Sequence, residues 1–293
     1  MLEQQIVNAI ALGSVYALIA VGFSLVFNIL EIINFSHGSF VMMGVYVSLA
    51  LGLAVPRLGF LGIALITVLI IAILGVLVER VAVAPLRRKG AHRALALVST
   101  LGAAIMLEAI AQLIWGADVR PYPLSLPEGV VTIGSARMTY TEVAIVSLSA
   151  VLMIGLQLLI RYARWGKAIR ATAQNPTAAA LMGIDLNRTV RQVFAIGAGL
   201  AAVAGMLVGA YYNYAHPSMG FAPGIKGFIA AVLGGMGSVF GAGLGGIILG
   251  MAEVFGGSYI SFAYRDAIAF GILIIIFLVR PQGILGTLIQ EKV

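Results

Sequence analysis

The chain has 293 residues, of which 61% are hydrophobic and only 10% charged, with a mean hydropathy of +1.07. A water-soluble globular domain carries about 45–50% apolar and about 25% charged residues, so the composition excludes that class and defines a polytopic membrane protein. The net charge of +7 arises from basic residues clustered between apolar runs, which marks membrane loops rather than a nucleic-acid surface, and the absence of cysteine excludes disulfides, thiolate nucleophiles and cysteine metal sites.

Residues 1–5 (MLEQQ) lack a basic n-region, and the apolar run after them is long enough to span, so no cleavable signal peptide is expected. Apolar runs fall at about 6–30, 36–55, 60–79, 94–115, 141–160, 189–212, 225–256 and 266–280. A bilayer core about 30 Å thick needs about 20 apolar residues per helix. The predicted fold is therefore all-α, one transmembrane domain over 1–293 with about 8–9 spans and little left for a soluble unit.

The second run opens with "NFSHGSF" (34–40), which supplies Asn34, Ser36, His37 and Ser39. Asn34 or Ser36 is suited to cap the following helix. Alternatively, these polar groups and the helix N-terminus face a pathway and meet a carboxylate. Next, the loop 80–93 holds Arg80, Arg87, Arg88, Lys89 and Arg93, and the loop 161–191 holds Arg161, Arg164, Lys167, Arg170, Arg188 and Arg191. Basic bias places both loops in the cytoplasm. Two spans separate them, so the segment 116–140 is external. Its charges balance (Asp118 and Glu128 against Arg120 and Arg137), and prolines at 121, 123 and 127 predict an extended, irregular course. Counting spans puts the N-terminus outside, and the C-terminus inside if 225–256 crosses twice.

"RATAQNPTAAALMGIDLNR" (170–188) is polar at both ends in a chain that is otherwise mostly apolar. Asn175 before Pro176 is a helix start, because asparagine caps and proline fits the first turn. Gly183 is a stop, and Asp185 is placed to cap the next span. Between them lie about two turns with Ala178, Leu181 and Met182 on one face. "WGKAIRATA" just upstream forms a second short amphipathic piece. The segment reads as a folded basic loop, either lying on anionic lipid or docking into a groove of a soluble partner. The alanines at 178, 179 and 180 favour the partner.

Beyond it, Gly205 and Gly209 stand four apart, as do Gly237, Gly241 and Gly245, the spacing of close helix packing in lipid. "NYAHPSMGF" (213–221) repeats the order of Asn, aromatic, His and Ser found in 34–40, with Asn213, His216 and Ser218. The topology places the two stretches on opposite sides of the membrane, as an inverted repeat would, although six positions are too few to establish one. The glycine-rich run 225–256 is either one tilted span or a broken hairpin, with Gly234, Gly235, Gly237 and Gly241 at the break.

Few ionisable groups fall in or near spans. Glu31, Lys226 and Asp266 lie near predicted ends, where snorkelling or capping accounts for them. Glu108 and Glu253 are deeper and serve either an ion pathway or an interhelical hydrogen bond. No P-loop, H-E-x-x-H or G-x-S-x-G is present, and His37, His92 and His216 are too scattered to argue for a metal. Three classes remain: a permease driven by other chains, a self-sufficient carrier or channel, and a membrane-embedded enzyme, which nothing specific supports.

The chain resembles the permease subunits of bacterial ATP-binding cassette (ABC) importers for branched-chain amino acids, of the smaller type, over essentially its whole length. The resemblance is carried by "GSVYALIAVGFSLVFNILEIINFSHGSF" (13–40), "ERVAVAPLR" (79–87), "RYARWGKAIRATAQNPTAAALMGIDLNR" (161–188), "GAGLAAVAGMLVG" (197–209), "AAVLGGMGSVFGAGLGGIILGMAE" (230–253) and "RPQGILG" (280–286). Ser39 departs from the acidic residue common there in the family, and related permeases handle urea and short amides. The resemblance implies a bacterial inner-membrane permease, not an enzyme, paired with a copy of itself or a paralogue. It implies two cytoplasmic ATPase subunits that hydrolyse the ATP, with no cofactor bound by this chain. It also implies a periplasmic or lipid-anchored binding protein, and no nucleic acid. The coupling helix is then placed at Asn175–Gly183, including Thr177 and Ala179, with Arg170, Gln174 and Asp185 at its margins.

Overall fold

The computed structural model describes residues 2–124 and 129–286. Pro127 and Glu128 of the expected external loop lie outside the described residues. Twelve helices follow in order among them. The first half comprises α1 (Leu2–Leu30), α2 (Ser36–Ala54), α3 (Gly59–Val78), α4 (Ala84–Arg88), α5 (Arg93–Trp115) and α6 (Tyr140–Tyr162). The second comprises α7 (Arg164–Gln174), α8 (Pro176–Leu181), α9 (Leu186–Tyr212), α10 (Phe221–Gly234), α11 (Val239–Tyr259) and α12 (Arg265–Val279). Four short strands accompany them: β1 (Arg120–Pro121), β2 (Val130–Ile133), β3 (Ala136–Thr139) and β4 (Tyr214–Ala215). Eight helical segments among the described residues are long and apolar enough to cross a membrane. The protein is an all-α polytopic membrane protein.

The core is built on α1 and α9. In α1 every residue from Ala11 to Val26 is buried, and in α9 every residue from Gly197 to Ala210. A helix that is apolar all round belongs inside the bundle. The outer helices show the opposite pattern: on α3, Leu61, Leu65, Leu69, Ile73 and Leu77 recur every four residues and are all exposed, forming a stripe for lipid. Small residues seat the inner helices. A Cβ on Gly13 of α1 would lie 2.9 Å from the Ile247 backbone of α11, and one on Gly44 of α2 would lie 2.7 Å from Ala202 of α9. Lipid offers no hydrophobic drive between helices, so this close backbone approach supplies the attraction.

The bundle has two distinct ends. At one end, Glu3 accepts hydrogen bonds from the Ser135 backbone N–H (2.8 Å) and hydroxyl (2.6 Å), which ties the start of α1 to the β2–β3 hairpin. At the other, Glu31 forms an ion pair with Arg93, and Arg87 bridges Glu79 (3.1 Å) and Asn187 (2.8 Å). The two arginine-rich segments therefore share an end, which is called the basic end below. The start of α1 and the hairpin share the hairpin end.

Two expectations needed revision. The segment expected as a loop from residue 80 is helical through Arg88: a π turn at Glu79–Val83 joins α3 to α4, and Pro85 sits in the first turn of α4 where its missing N–H is not needed. The segment 116–140 is less irregular than its prolines predicted. β2 and β3 form a hairpin whose turn contains Gly134 at φ 64°, and β1 pairs with β4. The alternatives for 225–256 are also resolved. α10 ends at Gly234, and α11 starts at Val239 with the Ser238 side chain accepting from the Gly241 N–H at 3.0 Å. Gly235 and Gly237 adopt φ 106° and 95°, open to glycine at little cost. With 14 residues, α10 is about 21 Å long, too short to cross a bilayer alone.

Candidate functional site

A cavity lies between the first turn of α2, the middle of α5 and the start of α10. It holds about 280 Å³. Glu31, at φ 51°, turns the chain out of α1, and 31–35 then lead back into the bundle before α2 begins. Asn34 caps that start: its Oδ1 accepts from the Ser36 N–H at 3.2 Å and from the Ser36 hydroxyl at 2.6 Å. Ser39 donates to the Ala104 carbonyl of α5 at 3.3 Å, fixing α2 against α5.

The second wall comes from the opposite end. α9 stops at Asn213 in the left-handed conformation, φ 59°. The chain pairs through β4 with β1, and the Tyr122 N–H donates to the Asn213 carbonyl at 3.1 Å. Tyr122 shares a 2.7 Å hydrogen bond with Ser48 on α2, and burial pushes its phenol well above the ordinary tyrosine range, against the opposing effect of Ser48. The chain then runs along α2 until Gly220 meets Gly38, where a Cβ on Gly38 would lie 2.7 Å from the Gly220 carbonyl oxygen. α10 begins there.

The stretches 34–40 and 213–221, expected on opposite sides of the membrane, thus start from opposite ends and converge on one cavity. A local pattern reports where a segment leaves its helix, not how far it dips back. Of the seven expected pathway residues, Ser39 and Ser218 line this cavity. Ser218 also joins His216 in a second, more open cavity toward the hairpin end, and its hydroxyl lies 2.8 Å from His216 Nδ1. Asn34 and Ser36 are buried and bonded to each other. His37 is fully buried with its ring 4.4 Å from that of Phe23. Asn213 caps a helix at the surface. These four do not line the cavity. Glu108, a lone carboxylate in an apolar run, does.

Glu253, Lys226 and Asp266 form a network that linear position concealed. Lys226 Nζ on α10 lies 2.8 Å from Glu253 Oε1 on α11 and 2.9 Å from Asp266 Oδ1 on α12, and the Tyr16 hydroxyl of α1 donates to Glu253 Oε2 at 2.9 Å. Lys226 and Asp266 are partners in a four-helix junction rather than a snorkelling chain and a capping residue. Glu253 takes the interhelical option.

At the basic end, α7 and α8 fold as a compact unit. The Arg170 guanidinium donates to the Ile160 and Arg161 carbonyls at the C-terminus of α6, satisfying acceptors that have no helical partner. Asn175 accepts from the Ala178 N–H at 2.9 Å, Gly183 ends the turn at φ 83°, and Asp185 accepts from the Arg188 N–H at 3.0 Å to open α9. Ala179 is buried, while Gln174, Thr177 and Ala178 face outward and Leu181 and Met182 are 85% and 83% exposed.

A bundle of eight helices long and apolar enough to span, among the described residues, with a cavity where segments from both ends converge, defines a multi-pass membrane protein. Residues 5–277 match the family described as branched-chain amino acid transport system / permease component, and the chain belongs to that family. It is 39% identical to the high-affinity branched-chain amino acid transport system permease protein BraD of Pseudomonas aeruginosa, over 99% of this chain and 97% of that protein. It is 41% and 40% identical to the permease proteins LivH of Salmonella typhimurium and Escherichia coli K12, with the same coverage. No solved structure matches the chain.

Proposed function

We propose that this chain is the membrane gate of an ABC importer for branched-chain amino acids in a bacterial inner membrane. It works as a single transmembrane domain beside a second permease subunit. Two cytoplasmic ATPases bind α8 and its margins, and a binding protein delivers substrate from outside. The basic end is cytoplasmic and the hairpin end external, which follows from the arginine bias of the two loops that share that end. The observation that carries the reading is the Leu181–Met182 face. It is apolar, fully formed, and not used by the protein's own fold. A helix that presents such a face on a basic loop fits a groove in a soluble partner. The cavity has apolar walls for an aliphatic side chain and polar groups for a zwitterion. The glycine-containing break at 235–238 supplies backbone that a change of access can re-fold.

The test is reconstitution of this chain with its partner permease, ATPases and binding protein. Vesicles holding the full set are expected to accumulate leucine against a gradient only with ATP, and vesicles holding this chain alone to accumulate none. Uphill uptake by the lone chain, or failure of any ATPase to bind it, would overturn the reading. Sidedness has its own test, because the natural chain contains no cysteine. A cysteine at Ser135 is expected to react with a membrane-impermeant maleimide in intact spheroplasts. One at Leu181 is expected to react only after lysis, and the reverse pattern would invert the topology.

A further inference from the structure

We infer that Glu108 recognises the substrate's α-ammonium group in the cavity between α2, α5 and α10. This inference rests on the permease reading above. Among the described residues the Glu108 carboxylate makes no hydrogen bond and no ion pair, in contrast to Glu31, Glu79 and Glu253, which are all paired. It is half-buried, on the cavity wall, and among the described residues the only formal charge there. A carboxylate held among membrane-spanning helices is costly, and one without a partner in the protein is a mark of function. Phe35, Leu101, Ile105 and Phe228 make the remaining surface mostly apolar, with the hydroxyls of Ser39 and Ser218 beside it. The volume, about 280 Å³, is near the lower bound of small-molecule sites.

The arrangement has two signs of charge for one ligand. The first turns of α2 (Gly38, Ser39) and α10 (Phe221, Gly224) both border the cavity. Helix N-termini carry partial positive charge and favour a carboxylate. Glu108 supplies the complementary negative charge. A zwitterionic amino acid satisfies both at once and places its aliphatic chain against the phenyl and isobutyl walls. A neutral amide leaves Glu108 unpaired, so the cavity selects for the ammonium.

The experiment uses the reconstituted complex with saturating leucine-loaded binding protein. Glu108→Gln keeps the shape and removes the charge. Expected is at least a tenfold fall in maximal leucine uptake. ATP hydrolysis stimulated by the binding protein, and the half-saturating concentration of that protein, are expected to hold within twofold. Glu108→Asp is expected to retain most uptake. Introducing Ser39→Asp into the Glu108→Gln background returns a carboxylate to the same cavity and is expected to restore uptake in part. Wild-type uptake rates in Glu108→Gln would overturn the proposal while leaving the permease reading intact. So would parallel loss of hydrolysis and thermal stability without rescue by Ser39→Asp, which would make Glu108 structural. Absence of ATP-driven uptake in the wild-type complex would instead defeat the permease reading.

Discussion

Replacing Leu181 and Met182 together by aspartate is expected to release the ATPase subunits and abolish uptake while leaving the permease folded. Both side chains are more than four-fifths exposed, so their loss removes almost no internal packing. Surface changes of this kind alter stability by about 0.5 kcal/mol or less. Apolar anchors at the centre of an interface, by contrast, are worth about 2 kcal/mol or more each when truncated. At about 1.4 kcal/mol per tenfold, losing either anchor weakens binding by at least about 30-fold. The measurement is co-purification of the ATPase with the double variant, beside its melting temperature and its yield in the membrane. Retained ATPase binding would remove α8 from the interface. Substitutions at Ala179 are a poorer probe, since that residue is buried against its own loop, and a bulky side chain there would disturb α8 itself.

This helix was legible in the sequence because every signal that shapes it is local. Asn175 and Pro176 start it, Gly183 stops it, and Asp185 caps its successor, all within eleven residues. The apolar runs were equally plain, since a bilayer dictates their length. The rest was not legible because it depends on pairings far apart in the chain. Lys226 and Asp266 lie near the ends of their helices and read as surface charges, yet 27 residues separate Lys226 from the Glu253 it binds. Tyr16 is 237 residues from that same carboxylate. The 34–40 and 213–221 stretches share a motif, but no periodicity reports that Gly38 touches Gly220. Its sequence position offers His37 as a polar group for a pathway. In the fold it fills a pocket between α1 and α2, beside Gly22, whose lack of a side chain makes room for the ring. Glu79 stands at a span end, where its sequence position gives no sign of burial. The π turn that follows carries it into the bundle, and Arg87, eight residues on, comes back to meet it.

The second large effect concerns α10, which cannot rely on the bilayer to hold it. Its lower end is fixed by the backbone: the Ile284 and Leu285 N–H groups donate to the Leu233 and Gly234 carbonyls at 2.9 and 3.0 Å, satisfying acceptors that a helix end leaves open. Its upper half is fixed by Lys226. Lys226→Met removes the only cation paired with Glu253 among the described residues, and Glu253 is itself 3% exposed. Breaking a buried pair from one side leaves an uncompensated charge and costs about 3–5 kcal/mol. Glu253→Gln is expected to cost much less. Its amide oxygen still accepts from Tyr16, and Lys226 keeps Asp266, whose carboxylate is well exposed to solvent. The double variant Lys226→Met with Glu253→Gln is expected to recover more than half of the loss of Lys226→Met, because the second change removes the buried charge that the first leaves without its cation. Thermal unfolding of the three variants in lipid nanodiscs checks the ordering, and equal losses for the two single variants would show that the pair does not carry the energy assigned to it. Because α10 forms one wall of the cavity, Lys226→Met is also expected to lower leucine uptake by more than Glu253→Gln does, with ATPase binding unchanged, since among the described residues no side chain of α8 bonds to Lys226, Glu253, Asp266 or Tyr16.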